Sequence, residues 1–323
     1  MFTQKDIEFR TIFVINCIEE RGLRVKGGEL LLEEIKEDRK VTTLTKIPFQ
    51  KVLALFVIGH ITITTPLIEN CKKYNVALIV LKPSLRPVFY WSDSAEANYL
   101  LRKRQYCSDG LCAAQSLVSN KISNQMQLLL NTRRKDAKTR LAIEHCRACL
   151  DSLPGIDDRQ QLLGIEGTAA RYFFAAYFHD YNWSGRQPRT KKDYINATLD
   201  IGYTLLFNFI ECYLRMFGFD LYIGVFHTEW YKRKSLVCDM VEPFRCIIER
   251  TIRTSINRKQ ISIKDYELKA NEYHLKKERC GDYYHLFFDA LIPYKSTIFK
   301  YIQSYYRCFM GRKSVVDYPV FEL

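Results

Sequence analysis

The sequence lacks a leader-like start and a long hydrophobic run. Residues 1–6 carry no basic segment followed by an apolar block, so we expect no secretory signal. The longest uncharged stretch, 52–68, is interrupted by Gly59 and Pro66, and its second half alternates isoleucine with threonine. A helix that spans a membrane needs about 20 mostly apolar residues. We therefore expect a soluble, cytoplasmic protein with no membrane segment.

The sequence also lacks an evenly spaced cysteine framework, although it contains 11 cysteines. In a chain of this size without a secretory signal, we expect reduced thiols that pack like small hydrophobic side chains. Four of them could instead form a zinc site, because four thiolates can hold that ion: Cys107, Cys112, Cys146 and Cys149. The loose spacing of the first pair favours free thiols.

Acidic residues are too few to balance the basic ones. The 323 residues include 49 Lys+Arg and 36 Asp+Glu, which gives a net charge of +13. Such an excess attracts phosphate backbones or anionic membrane surfaces, but a merely soluble basic protein is equally compatible with it. The length suggests two domains, and 47% hydrophobic residues suffice for large cores.

Residues 1–85 have the pattern of a small β-rich domain. Thr11–Ile15 predicts a strand, and the paired glycines Gly27 and Gly28 predict the turn of a hairpin. Further strands are expected at 52–58, 61–64 and 76–81, with a short helix from Pro66.

Two prolines, Pro83 and Pro87, indicate a boundary, and we place a linker at 86–95. From 96 to 323 apolar residues recur every three or four positions, which predicts a larger, all-helical domain. The expected helices cover 96–106, 111–130, 135–152, 160–178, 194–217, 235–254 and much of 284–308. The sequence therefore predicts an α+β fold with a small N-terminal β-rich domain and a larger helical domain.

Glu166 is the single carboxylate of an apolar helical stretch and lies between Gly164 and Gly167. Glycine inside a helix costs about 1 kcal/mol relative to alanine, so this bracket suggests that a backbone or a ligand approaches closely. The alternative is that Glu166 forms an ordinary ion pair with Arg171 or another basic residue.

Three further residues with metal-binding chemistry follow: His227, Asp239 and Glu242. Asp239 and Glu242 are three positions apart and project from one helix face, and Pro243 should kink the helix there. A solvated acidic face or a structural histidine is the alternative, but Asp239 lies among apolar residues. Two carboxylates and an imidazole suit Mg²⁺ or Mn²⁺ better than a structural zinc ion.

These segments resemble the CRISPR-associated spacer-acquisition integrase, the first and most widespread Cas family. The resemblance rests on the helix around Glu166, the Gly224-x-x-His227 loop and the helix from Asp239 to Arg245. Two more stretches resemble the family: Asn98-x3-Arg102-x2-Gln105, and the basic segment from Arg186 that leads to Asn196 and Gly202-Tyr203. Cys246 departs from the family, which often has proline there.

The resemblance implies a catalytic set of Glu166, His227, Asp239 and Glu242. Glu166, His227 and Glu242 would bind Mg²⁺ or Mn²⁺, and Asp239 would help as a ligand or orient one. It implies transesterification, in which the 3′-hydroxyl of a short DNA fragment attacks a repeat array. It also implies double-stranded DNA as substrate, a homodimer, a small ferredoxin-like Cas partner and a prokaryotic cytoplasm.

Basic residues near these motifs are candidates for DNA phosphate contacts, although each could equally be a solvated surface residue. They are Arg186, Arg189, Lys191, Lys192, Lys232, Arg233, Lys234 and Arg245. Two rival functions are a metal-dependent nuclease that only hydrolyses DNA and a catalytically silent DNA-binding scaffold.

Overall fold

The computed structural model describes residues 3–17, 21–35, 41–92, 98–181 and 183–323. Strands predominate in the first part of the chain. The elements of this part, in chain order, are α1 (Gln4–Phe9), β1 (Thr11–Cys17), β2 (Arg21–Lys26), β3 (Glu29–Ile35), β4 (Val41–Pro48), β5 (Val52–Gly59), α2 (Thr65–Lys73), β6 (Ala77–Leu81) and β7 (Pro87–Trp91).

The predicted hairpin is strands β2 and β3, which pair antiparallel with Lys26 opposite Glu29. Gly27 and Gly28 have φ angles of 61° and 79°, the left-handed region that a two-residue turn requires and that glycine adopts without strain. Strand β4, which the sequence pattern did not predict, completes this three-stranded sheet.

The strand predicted at 61–64 is wrong, because β5 ends at Gly59 and the chain then crosses without regular pairing to α2. Ile61 and Ile63 nevertheless pack against the buried cluster of the N-terminal part. The alternating pattern thus identified inward-facing side chains of a loop. The helix predicted from Pro66 is confirmed as α2, with proline in its first turn.

The second sheet has the order β1-β5-β6-β7, with parallel pairing among β1, β5 and β6 and an antiparallel edge strand β7. Strand β7 lies within the predicted linker at 86–95, so the described part of that segment belongs largely to the sheet. Pro87 is compatible with this position because an edge strand tolerates a missing backbone donor. Residues 93–97, including the predicted start of the next helix, lie outside the described residues.

Strands β5 and β6 are buried along their whole lengths because both faces of the sheet are covered. One face contributes to the smaller N-terminal cluster, and the other joins the main core of the helical part. Phe56 marks this second contact, since its ring centroid lies 6.3 Å from that of Phe209 and 5.2 Å from that of Phe288.

Helices dominate the rest of the chain, as predicted, and the α+β class is confirmed. They are α3 (Tyr99–Cys107), α4 (Leu111–Leu130), α5 (Ala137–Asp151), α6 (Arg159–Tyr177), α7 (Tyr194–Phe217), α8 (Ser235–Met240), α9 (Arg245–Asn257), α10 (Lys277–Leu291) and α11 (Lys295–Met310). This part is not purely helical, because strands β8 (Tyr266–Lys269) and β9 (Glu272–Leu275) form a hairpin.

The single helix expected over 235–254 is divided, as the proline predicts. Helix α8 ends at Met240, a 3₁₀ turn covers Glu242–Phe244, and α9 begins at Arg245. Proline has no backbone N–H and clashes with the preceding turn, so Pro243 ends one helix and starts the next. The break puts Glu242 at the junction of two helices.

All of the cysteines are free thiols. Cys146 and Cys149 are buried in α5, whereas Cys107 and Cys112 are exposed. Within the described ranges, no three His, Cys, Asp or Glu side chains form a group that could hold a metal ion as it stands. None of the helices in the same ranges combines the length and apolar character needed to cross a bilayer.

Candidate active site

The structure links Glu166, His227, Asp239 and Glu242 through a series of contacts. Lys121 contacts both Glu166 and Glu242, and His227 lies next to Glu242 and Asp239. Glu166 lies in the middle of α6, and Glu242 lies at the break between α8 and α9. Lys121, on α4, donates to Glu166 Oε1, and its Nζ lies 2.5 Å from Glu242 Oε2. The two carboxylates therefore meet at a single nitrogen atom.

Asp239 anchors the loop that carries His227. Its carboxylate is fully buried and accepts backbone N–H bonds from Val225 at 2.6 Å, Phe226 at 3.1 Å and His227 at 2.8 Å. It also lies 2.7 Å from His227 Nδ1. Both carboxylate oxygens are thus occupied by donors of the loop, which fits a role in orienting the imidazole.

The contact with Asp239 determines which imidazole nitrogen is available. A carboxylate accepts a hydrogen bond, so His227 Nδ1 carries the proton in the neutral ring and Nε2 keeps its lone pair. His227 Nε2 lies 3.9 Å from Glu242 Oε1. The free lone pair is therefore next to Glu242.

Gly224 is required by the close approach of the His227 loop to α8. A Cβ atom at this position would lie 2.7 Å from Asp239 Oδ2 and 2.8 Å from Ser235 Cβ. In the Gly-x-x-His segment, Gly224 therefore lets the backbone pass close to Asp239, and His227 is held by that same aspartate.

Glu242 is buried, with 2% of its surface exposed, yet the pKa of its carboxyl group is low. Burial raises its pKa, but Arg245, Lys121 and His227 outweigh burial and lower the pKa to about 2. Arg245 lowers the pKa most, and its Nη2 lies 2.9 Å from Glu242 Oε1. Glu242 therefore carries a negative charge throughout the physiological pH range.

Arg245 links this site to a second buried carboxylate. Its guanidinium lies 4.5 Å from the ring centroid of Tyr203, whose hydroxyl donates to Glu249 Oε1 at 2.7 Å. Burial raises the pKa of Glu249 to about 7, despite the opposing effects of the Tyr203 hydrogen bond, Lys121 and Arg245. Glu249 is a further buried carboxylate that the sequence pattern did not indicate.

The ion pair of Glu166 is with Lys121 and not with Arg171, whose guanidinium lies over Tyr172. The packing reason given for Gly164 and Gly167 is wrong, since a Cβ atom at either position would meet nothing within 4 Å. Both glycines face open space on the exposed side of α6.

Lys121 was missed because a lysine in a helical stretch usually lies on the solvated face. Here it is 6% exposed and belongs to a buried polar group on α4 that includes Asn120 and Asn124. Asn124 Nδ2 donates to the carbonyls of Pro243 at 3.1 Å and Phe321 at 2.9 Å. The sequence signal was available: polar residues recur at one face of an otherwise apolar helix.

The C-terminal tail packs against this group of polar residues on α4. Asn120 exchanges two hydrogen bonds with the backbone of Phe321, each 2.8 Å long. The Phe321 ring lies 4.9 Å from that of Phe244. The tail therefore supports the turn that holds Glu242.

The motif that begins at Asn98 holds the approach to the His227 loop. Asn98 Nδ2 donates to the Phe217 carbonyl at 3.0 Å, where α7 ends. Gln105 Nε2 donates to the Asp220 carbonyl and its Oε1 accepts from the Asp220 backbone, both at 2.9 Å. These polar residues fix the segment between α7 and Gly224.

Three of the predicted DNA-contact residues are engaged within the protein. Arg186 pairs with Asp200 at 2.6 Å, and Lys234 Nζ contacts Glu211 at 2.6 Å. Arg245 is the partner of Glu242 described above. Lys191 is half-buried, and its carbonyl accepts from the Tyr273 backbone at 2.8 Å.

Three of the other predicted contacts, Arg189, Lys232 and Arg233, lie beside an exposed aromatic pair. Arg189, Lys192 and Lys232 are exposed. Trp230 and Tyr231 expose 77% and 81% of their surfaces. An open depression of about 450 Å³ is bounded by one set of residues, here called the basic–aromatic loop: Arg189, Trp230, Tyr231, Lys232 and Arg233. Residues 230–233 of this set follow His227 closely in the chain.

The donor types at the site fit a hard divalent cation. Two carboxylates and one imidazole nitrogen are ligands that Mg²⁺ or Mn²⁺ accepts. A buried ammonium between Glu166 and Glu242 marks a point where the protein stabilises positive charge. The Lys121 ammonium group occupies the space between the two carboxylates. This agrees with the finding that no group of three potential metal ligands is arranged to hold an ion among the described residues.

Known proteins share both sequence and fold with this chain. The sequence profile described as CRISPR associated protein Cas1 matches residues 17–287. A CRISPR-associated exonuclease Cas4/endonuclease Cas1 fusion of Leptospira interrogans is 29% identical, across 88% of this chain and 56% of the relative. A CRISPR-associated endonuclease Cas1 of Archaeoglobus fulgidus is 28% identical, across 76% of this chain and 78% of the relative.

Two solved structures have the same fold. A Cas6-RT-Cas1–Cas2 complex matches 98% of this chain, which spans 36% of that chain, with a TM-score of 0.78 and 21% identity. A casposase bound to integration product matches 97% of this chain and 94% of its own, with a TM-score of 0.76 and 17% identity. With the profile match over most of its length, the chain belongs to the CRISPR associated protein Cas1 family.

Proposed function

We propose that this protein is a metal-dependent DNA endonuclease and integrase of CRISPR adaptation. It would join the 3′-hydroxyl ends of short DNA fragments to a repeat array by transesterification. The observation that carries the proposal is the convergence of Glu166, His227 and Glu242, from three distant segments, in a chain of the Cas1 family. Relatives in this family are named endonucleases, and one structural neighbour is a casposase bound to integration product.

Glu166, His227 and Glu242 would hold Mg²⁺ or Mn²⁺. When bound, such an ion polarises a phosphodiester and stabilises the negative charge that develops on it. Glu242 supplies an anionic oxygen at any physiological pH because its pKa is about 2. Asp239 keeps the imidazole fixed with Nε2 free, and Arg245 adds a permanent positive charge beside Glu242.

The basic–aromatic loop is the proposed DNA contact surface, and its residues 230–233 follow His227 closely in sequence. Its lysine and arginines would bind phosphates, and Trp230 and Tyr231 have exposed faces on which bases can stack. Lys192 is also exposed and follows Arg189 closely in the sequence, so it adds positive charge. The net charge of +13 strengthens attraction to double-stranded DNA.

We also propose a homodimer that works with a small ferredoxin-like Cas partner in the prokaryotic cytoplasm. The structural neighbour named as a Cas6-RT-Cas1–Cas2 complex supports the second partner. The N-terminal sheets are the proposed contact region, where β4 exposes most of its residues, including Val41 and Leu44.

The test is an integration assay with supercoiled repeat-array DNA, a short duplex and Mn²⁺ or Mg²⁺. The wild type should give joined product, and Glu166→Gln, His227→Ala and Glu242→Gln should each reduce it at least 100-fold while remaining folded. A duplex that lacks its 3′-hydroxyl is the matched substrate control. Nicked DNA without joined product would favour the hydrolytic nuclease, and equal joining by all three variants would reject the site.

A further inference from the structure

Lys121 has no role in the chemistry described so far, yet it occupies the centre of the site. It is buried, and it contacts one oxygen of Glu166 and one of Glu242. An ammonium in such a place must be stabilised by its partners, because burying a charge without them is costly. The contacts come from α4, α6 and the α8–α9 junction, so this is a built feature of the helical core.

We infer that Lys121 is an internal counter-ion that keeps the metal site closed until a divalent cation displaces its ammonium group from Glu166 and Glu242. The inference rests on the proposed metal-dependent function and names the residue that opposes metal binding. It assigns Lys121 a positioning role: the residue holds the two carboxylates close together in the metal-free protein.

The charges around the carboxylates explain the competition. Glu166 and Glu242 bring two negative charges, and Lys121 and Arg245 bring two positive charges, so the group is close to neutral. A divalent cation that enters this neutral group meets repulsion from the ammonium at very short range. Once Lys121 withdraws, the remaining group has a net negative charge and favours the cation.

The limited space between the two carboxylates supports the same inference. Lys121 Nζ touches both carboxylates, so an ion that binds both of them needs the place that the nitrogen now has. The Glu166 side chain is 18% exposed, and the Lys121 side chain is 7% exposed. The site is therefore next to solvent on the Glu166 side, and a flexible four-carbon side chain can leave it by rotation.

The experiment measures Mn²⁺ affinity by calorimetry and thermal stability with EDTA or Mn²⁺. Lys121→Met should bind Mn²⁺ at least tenfold more tightly than the wild type, because no ammonium has to be displaced. In EDTA it should melt at a lower temperature, and Mn²⁺ should raise its melting temperature more than that of the wild type. A residue that merely supported the fold would, when replaced, weaken metal binding.

Two variants control for charge and for folding. Lys121→Arg keeps the positive charge and should bind Mn²⁺ no more tightly than the wild type, and Lys103→Met, on an exposed position of α3, should change nothing. If Lys121→Met does not fold, Lys121→Gln provides the same comparison with a polar neutral side chain. Equal or weaker Mn²⁺ binding by the neutral variant would overturn the inference.

A different set of results would reject the proposed metal site. If Mn²⁺ binding to the wild type is absent, or is unaffected by Glu166→Gln and Glu242→Gln, the proposed metal site itself fails. If those two variants abolish binding while the neutral Lys121 variant binds like the wild type, only the counter-ion role fails.

Discussion

Glu249 is a buried carboxylic acid one turn beyond Arg245 on α9, and it makes a testable contribution to stability. Burial raises its pKa from 4.5 to about 7. The folded protein therefore keeps the Glu249 proton to a higher pH than the unfolded chain does. The stabilisation that protonated Glu249 contributes is complete below pH 4.5 and is lost as the pH rises through 7. Above pH 7 the buried anion costs on the order of 3 kcal/mol.

Glu249→Gln should remove this dependence. Between pH 5 and pH 8 the free energy of unfolding of the wild type should fall by about 2–3 kcal/mol relative to that of the variant. Urea unfolding at several pH values measures the difference, with Glu69→Gln on an exposed position of α2 as control. Parallel pH profiles of wild type and Glu249→Gln would contradict the prediction.

The individual residues that the sequence indicated are those whose types are unusual for their surroundings. Glu166, His227, Asp239 and Glu242 stand out as polar groups in apolar segments, and the structure places them together. Lys121 did not stand out, because its partners are 45 and 121 positions away in the chain. The polar residues of α4 form a local pattern that marks the helix face, but no local pattern identifies the distant ion-pair partners of Lys121.

At the scale of elements, the His227 loop depends on a close backbone approach at Gly224. Gly224→Ala would put a methyl group within 2.7 Å of Asp239 Oδ2 and 2.8 Å of Ser235 Cβ. We expect a loss of about 1–3 kcal/mol in stability, since overpacking forces the backbone to move. The displaced loop should also lose His227 orientation and bind Mn²⁺ at least tenfold more weakly.

Gly164→Ala is the matched control for this substitution. Gly164 lies in α6, and its added Cβ would meet nothing within 4 Å. Replacing glycine by alanine in an exposed helix stabilises by up to about 1 kcal/mol, so this variant should melt at the same or a higher temperature. Thermal unfolding of both variants gives the comparison, and an unchanged melting temperature with unchanged Mn²⁺ binding for Gly224→Ala would refute the role of the loop.

Long helices were predictable as elements because their periodicity is local. Helices α4 and α7 have the expected bounds, 111–130 and 194–217. Strand β4 was missed because its first six residues are exposed, so it lacks the alternation that reveals a half-buried strand. Its register comes from pairing with β3, which the sequence pattern of β4 alone does not specify.

For the whole molecule, the contact between the four-stranded sheet and the helices determines whether the chain unfolds in one step or two. The sequence division at 85 and 96 predicts two domains, but it could not show how they meet. In the structure one sheet face joins the main core, and Tyr90 donates to the Cys212 carbonyl at 3.2 Å. A shared core of this kind favours a single cooperative transition.

Phe56 tests that expectation, because its buried ring lies between the sheet and the rings of Phe209 and Phe288. Phe56→Ala should cost about 3–5 kcal/mol and lower the protection of both parts together. Hydrogen exchange measured by mass spectrometry reports β5 and α7 separately, and Val88→Ala on the exposed edge strand is the control. Faster exchange in β5 alone, with α7 unchanged, would mean that the sheet unfolds as an independent domain.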